Sequence, residues 1–159
     1  MATAPEIGKK APDFDLPASS GAGLSLKSLR GRAVILYFYP KDDTPGCTVE
    51  ACEFGKSHAS FEKAGALVLG VSPDGLESHA KFIAKFSLPF VLLADEDHQV
   101  AERYGVWVQK SMYGKEFMGI QRATFLIDGS GTIRGLWPKV KAEGHAAEVL
   151  AALKGMEGS

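Results

Sequence analysis

Cysteine is scarce in this chain: Cys47 and Cys52 are the only two in 159 residues. A disulfide-stapled secreted scaffold would carry more, and a chain of this length can bury a core without staples. An excess of one charge is also lacking. The formal net charge of −1 gives no electrostatic pull toward nucleic acid or an anionic membrane. No apolar run approaches the roughly 20 residues that span a bilayer, and the first ten residues have no apolar stretch of the secretory kind. The expected address is therefore the cytoplasm. No phosphate-cradling glycine loop occurs, since G-V-S-P-D (residues 70–74) is not a nucleotide fingerprint, so no organic cofactor is expected. Histidine is limited to His58, His79, His98 and His145, scattered without ligand spacing. Structural zinc needs about four ligands, so no metal is expected, and the histidines read as solvated or satisfied surface residues.

What is present fits one domain, residues 1–159, with the apolar and charged content of a soluble globular protein. Phe14-Asp15-Leu16 and Leu24-Ser25-Leu26 flank a Ser/Gly-rich turn and predict a hairpin. Residues 33–39 (A-V-I-L-Y-F-Y) form an apolar, β-branched and aromatic run that stops at Pro40, which predicts a buried central strand. Residues 67–71 and 91–94 predict two more strands. Helices are expected over residues 47–64, over 76–86 with its stripe Leu76, Ala80, Ile83 and Phe86, and briefly over 100–104. Residues 124–127 and 132–136 pair across D-G-S-G as an antiparallel hairpin. Ala146, Val149, Leu150 and Leu153 mark a last helix, closed by Gly155 at a C′-like position. Alternating strands and helices followed by a hairpin predict an α/β fold, a mixed sheet flanked by helices.

The cysteine pair asks for catalysis, metal binding or coincidence. A strand ends at Pro40, a polar loop follows, and a helix begins near Cys47. Thr44 can cap that helix, and Pro45 suits its first position, where a missing N–H costs nothing. Cys47 then lies in the first turn, where free N–H groups and the helix dipole favour a thiolate. A buried, inert cysteine is the alternative, and placement alone leaves both open.

A resemblance adds to this. Residues 40–47, P-K-D-D-T-P-G-C, resemble the P-x-x-x-T-x-x-C signature of peroxiredoxins, and residues 37–52 resemble their bacterioferritin-comigratory (Q-type) subgroup. G-V-S-P-D, L-L-A-D (92–95), W-V-Q-K-S-M-Y-G-K (107–115) and R-A-T-F-L-I-D (122–128) are similar in content and order, so the likeness covers nearly the whole chain. The resemblance implies a thioredoxin-like fold with an N-terminal hairpin extension. It implies that Cys47 is the peroxidatic thiol, that Thr44 hydrogen-bonds at the sulfur and bound peroxide, and that Pro40 packs over the thiolate. It also implies that Arg122 arrives from a distant strand to hold thiolate and peroxide, and that the backbone N–H groups of Gly46 and Cys47 complete the site. Pro45 has no N–H to give. Further implications are hydroperoxide substrates, an intramolecular disulfide between Cys47 and Cys52, and regeneration by thioredoxin, with glutaredoxin or glutathione as other reductants. Q-type relatives are often monomers, and a monomer is expected.

A thioredoxin-like disulfide oxidoreductase without peroxidase activity is the nearest rival. Such proteins use C-x-x-C, whereas the spacing here is C-x-x-x-x-C. A magnitude also bears on mechanism. For any thiol, lowering the pKa from about 8.5 to about 6 raises the thiolate fraction at pH 7 by roughly 30-fold at most. Enzymes accelerate reactions by about a millionfold or more. Most of the acceleration must then come from polarising the O–O bond and aligning it with sulfur, for which Thr44, Arg122 and the two amides are available.

Overall fold

The computed structural model describes residues 5–157. Its centre is a five-stranded sheet whose strands, in spatial order, cover residues 91–94, 66–72, 33–38, 123–127 and 133–137. Strand β3 (Ala33–Phe38) is the predicted apolar run and lies in the middle. β4 (Ala66–Ser72) and β5 (Val91–Ala94) run parallel to it on one side. On the other side β8 (Ala123–Ile127) and β9 (Ile133–Trp137) are antiparallel, as a hairpin requires. The N-terminal hairpin forms as β1 (Asp15–Leu16) with β2 (Leu24–Ser25).

The pleat of β3 sends alternate side chains to two cores. Val34, Leu36 and Phe38 join Phe14, Val100, Tyr104 and Phe125 on one face. Ile35, Tyr37 and Tyr39 join Ala51, Phe54, Phe82, Val149 and Leu153 on the other. That second face carries α1 (Pro45–Lys56), α3 (Leu76–Phe86) and α5 (His145–Glu157). Burial on both faces is why β3 reads as a continuous apolar run rather than an alternating one. Gly70, opposite Tyr37 in the parallel register, has room for nothing larger: a Cβ there would sit 2.7 Å from Leu92 Cδ2 and 2.9 Å from the Tyr37 hydroxyl.

Several expectations need correction. The predicted helix over residues 47–64 is two, because the chain turns at Ser57 (φ −92°, ψ 1°) before α2 (His58–Lys63). Gly155 does not close the last helix, which continues through it to Glu157. The segment around W-V-Q-K-S-M-Y-G-K is a hairpin of its own, β6 (Trp107–Met112) with β7 (Lys115–Ile120), standing apart from the central sheet. Its alternation is blurred because Met112, Phe117 and Met118 stay exposed. The remaining short helix, α4 (Gln99–Arg103), starts one residue before its predicted place. No helix among the described residues is long and apolar enough to cross a membrane.

Candidate active site

The loop after β3 delivers α1 with Pro45, Gly46 and Cys47 as its first three residues. Proline at the first position has the φ a helix needs and lacks an N–H that would go unpaired. Thr48 N–H is the first to be satisfied, donating to the Thr44 carbonyl at 2.8 Å. The N–H groups of Gly46 and Cys47 have no acceptor among the described residues, so both are free to meet an anion. Cys47 is only 2% exposed, and its thiol is free.

Arg122 closes the site from 75 residues away in sequence. It immediately precedes β8, where Ala123 pairs with Phe38, so one step further in the antiparallel register brings it beside the end of β3. Its Nη2 donates to Cys47 Sγ at 3.2 Å, and its Nη1 donates to Glu50 Oε1 at 2.6 Å. Gly46 makes room for this guanidinium: a Cβ there would lie 3.2 Å from Nη2. Burial opposes the charge on Arg122, yet the Glu50 carboxylate and Cys47 outweigh it and hold the guanidinium above its ordinary pKa. A second cation lies near. Lys110 on β6 is half-buried, and its pKa is lowered first by burial and then by the charge of Arg122.

Glu50 was not anticipated from the sequence. It sits one turn beyond Cys47 on the same helix face, fully buried, with Oε2 lacking a partner among the described residues. Burial pushes its carboxyl up to about 7, and the attraction of Arg122 offsets that only in part. The signal available beforehand was its place in the motif, three residues after Cys47, but a glutamate in a helix is ordinarily solvated. The raised value has a consequence for stability. Between about 4.5 and about 7 the folded protein binds a proton at Glu50 that the unfolded chain releases. The stabilisation from this group is therefore complete at low pH and lost as pH rises through about 7. Glu50→Gln should flatten that part of the stability profile in chemical denaturation between pH 4 and pH 8; an unchanged slope would remove Glu50 as its source.

The other predicted residues are placed as follows. Thr44 occupies the cap position by its backbone, but its hydroxyl makes no capping bond and donates instead to the Lys41 carbonyl at 2.9 Å. Nor does that hydroxyl bond to the Cys47 sulfur, which the structure leaves to Arg122. Pro40 lies half-buried two residues beyond the end of β3 and opens the loop. Cys52 lies within α1, half-buried and unbonded, five residues beyond Cys47. Two of the histidines read as surface residues are in fact buried. His79 is fully enclosed and bonded to Asp42 and the Leu93 carbonyl. His145 lies between Glu148 and the Thr124 hydroxyl, where burial depresses its pKa.

A thiol in a helix first turn, two unpaired amides and a fixed guanidinium at the sulfur gather hydrogen-bond donors where an anion would be stabilised. Comparison with known proteins gives the same direction. The AhpC/TSA family matches residues 7–136. Peroxiredoxin Bcp of Bacillus subtilis is 52% identical over 151 residues, covering 95% of this chain and 96% of that one. Among solved structures, PrxQ of Xylella fastidiosa, as a cysteine-to-serine mutant, superposes with a TM-score of 0.92 at 37% identity, covering 98% and 99% of the two chains. The Xanthomonas campestris bacterioferritin comigratory protein, in a trapped intermediate/ligand complex bearing on its alkyl peroxide reduction activity, gives 0.86 at 43% identity over 90% and 91%. With half the residues shared along nearly the full length of both chains, and a thioredoxin-like sheet that brings Arg122 onto Cys47, the chain belongs to the AhpC/TSA family of peroxiredoxins, on its Bcp/peroxiredoxin Q branch.

Proposed function

We propose that this protein reduces hydrogen peroxide and organic hydroperoxides through Cys47, as a monomeric single domain in the cytoplasm. The Cys47 thiolate attacks one oxygen of the O–O bond. The bond breaks, the other oxygen leaves as alkoxide or hydroxide and takes up a proton, and Cys47 becomes a sulfenic acid. The observation that carries this reading is the Arg122 guanidinium at 3.2 Å from Cys47 Sγ. It can hold the sulfur and the substrate oxygens in line while stabilising the charge that develops on them. The free N–H groups of Gly46 and Cys47 supply two more donors. Thr44 Oγ1, whose proton is committed to Lys41, can accept the peroxide O–H. Pro40 shields the pocket from one side.

Cys52 then attacks the sulfenic sulfur, water leaves, and a Cys47–Cys52 disulfide forms, which thioredoxin reduces. This step cannot occur in the helix as it stands. Residues five apart in an α-helix differ by about 140° and about 7.5 Å of rise, so their Cα atoms lie roughly 8–9 Å apart. A disulfide needs Cα atoms within about 7 Å and converging Cβ vectors. The first turns of α1 must therefore unwind in each cycle. Gly46 and Gly55 bracket the segment, and a helical glycine costs about 1 kcal/mol relative to alanine, which favours local opening.

One equivalent of hydrogen peroxide should yield an intramolecular disulfide by intact mass, with faster amide exchange across residues 44–55 than in the reduced protein. A stable sulfenic acid with no disulfide, or a disulfide with undiminished helix protection, would sink the unwinding step. Turnover with thioredoxin, glutaredoxin and glutathione compared side by side identifies the reductant. Insulin reduction in place of peroxide consumption would return the protein to the disulfide oxidoreductases.

A further inference from the structure

Polar contacts gather where the loop of residues 40–44 meets β4 and α3, away from the Arg122 contact. Asp42 is 7% exposed. Its carboxylate accepts from the Tyr39 hydroxyl at 2.6 Å, from Ser78 Oγ at 2.7 Å and from His79 Nδ1 at 2.7 Å. Burial raises the Asp42 pKa, but the bonds from His79, Tyr39 and Ser78 outweigh it and hold the carboxyl below its ordinary value. The neighbouring Asp43 pairs with Lys85 at 2.8 Å. These bonds pin the loop to the body of the protein.

The contact that reaches the site runs through the main chain. The Asp42 N–H donates to Asp74 Oδ2 at 2.8 Å. Asp74 follows β4 in the G-V-S-P-D segment, and the same oxygen accepts from Ser72 Oγ at 2.7 Å. The Asp42 N–H and the Lys41 carbonyl belong to one planar peptide group. That carbonyl accepts the Thr44 hydroxyl proton at 2.9 Å. A carboxylate on the N–H end polarises the peptide and makes its carbonyl a stronger acceptor. A hydroxyl carries one proton and two lone pairs. With that proton given to Lys41, the Thr44 oxygen is left as an acceptor, and a hydroperoxide O–H is a donor. Were the proton free, it could turn to the thiolate and weaken the nucleophile.

We propose that Asp74 is a positioning residue for peroxide reduction: by holding the Lys41–Asp42 peptide, it commits the Thr44 hydroxyl to accept the substrate O–H. The inference rests on the role given to Thr44 under the proposed function. Asp74 itself touches neither thiol nor substrate.

A double-mutant cycle on the rate of Cys47 oxidation by hydrogen peroxide tests it. Asp74→Ala should slow oxidation about tenfold in the native background and less than about twofold in the Thr44→Val background. Asp74→Asn, which keeps a neutral and weaker carbonyl acceptor, should lose about threefold in the first background and nothing in the second. It carries the same cycle if Asp74→Ala melts below the assay temperature. Equal losses in both backgrounds, after a slow Thr44→Val, mean that Asp74 acts only through general structure and overturn this inference alone. An undiminished rate in Thr44→Val by itself overturns the role of Thr44 and this inference with it.

Discussion

Cys47→Ser should abolish peroxide consumption even within a single turnover, while Cys52→Ser should retain the first turnover and lose the disulfide. The contrast separates nucleophile from resolving thiol. A serine hydroxyl is a weak nucleophile near neutral pH without an adjacent base to take its proton. The group bonded to the Cys47 sulfur, Arg122, is a donor, as are the free amides of Gly46 and Cys47, and all three suit an anion that already exists. Serine is close to cysteine in size, so the buried position should tolerate it and the loss should be chemical rather than structural. Peroxide remaining after mixing with a stoichiometric amount of reduced protein is the quantity to measure, with circular dichroism to show that the fold persists. Wild-type single-turnover consumption by Cys47→Ser would place the chemistry elsewhere.

Arg122→Ala carries the second large effect, on rate and on stability by separate routes. Removing one preorganised donor from a site of developing charge typically costs about 100- to 1,000-fold in rate. The loss of thiolate alone could explain no more than roughly 30-fold at pH 7. Measured separately, the rate should therefore fall further than the thiolate fraction does. A rate loss equal to the change in thiolate would remove transition-state stabilisation from the role of Arg122. The same substitution leaves Glu50, which is fully enclosed, without the partner that holds it at 2.6 Å. Breaking a buried pair from one side typically costs about 3–5 kcal/mol. Glu50 escapes part of that by taking up a proton, since burial already brings its carboxyl to about 7. Destabilisation should thus be small at acidic pH and grow as pH rises past about 7. Adding Glu50→Gln to Arg122→Ala should recover stability above that pH and leave the rate low. Recovery of both would mean that Arg122 serves the fold alone.

How much of this was legible beforehand depends on the range of the interaction. Residues 33–39 announced a central strand because burial on both faces demands an unbroken apolar run, and β3 is that strand. The stripe Leu76, Ala80, Ile83 and Phe86 announced α3 as a helix but not its buried face: His79 and Phe82 are enclosed, while Leu76 and Ala80 stay exposed. Thr44-Pro45-Gly46-Cys47 announced a helix start at the thiol because the rules for first turns are local. The hairpin β6–β7 went unread: much of it is exposed, so no buried face imposes a period of two on its residues. Gly155 predicts a stop, yet α5 runs through it to Glu157, since propensity is a weak signal beside tertiary contacts.

The site divides along the same line. By itself the sequence placed a thiol at a helix start, and through family resemblance it singled out Cys47 as the nucleophile, the amides of Gly46 and Cys47, and Arg122. Only the tertiary structure decided that Arg122 reaches Cys47, 75 residues away in the chain, while gripping Glu50, because that contact follows from the register of β3 on β8. Only it decided that Glu50 and His79 are enclosed, and that the Thr44 proton goes to Lys41 rather than to the sulfur. Helix starts and strand periods are set by neighbours a few residues away. Burial and the direction of a hydroxyl are set by whatever the folded chain brings alongside, and no local pattern records that.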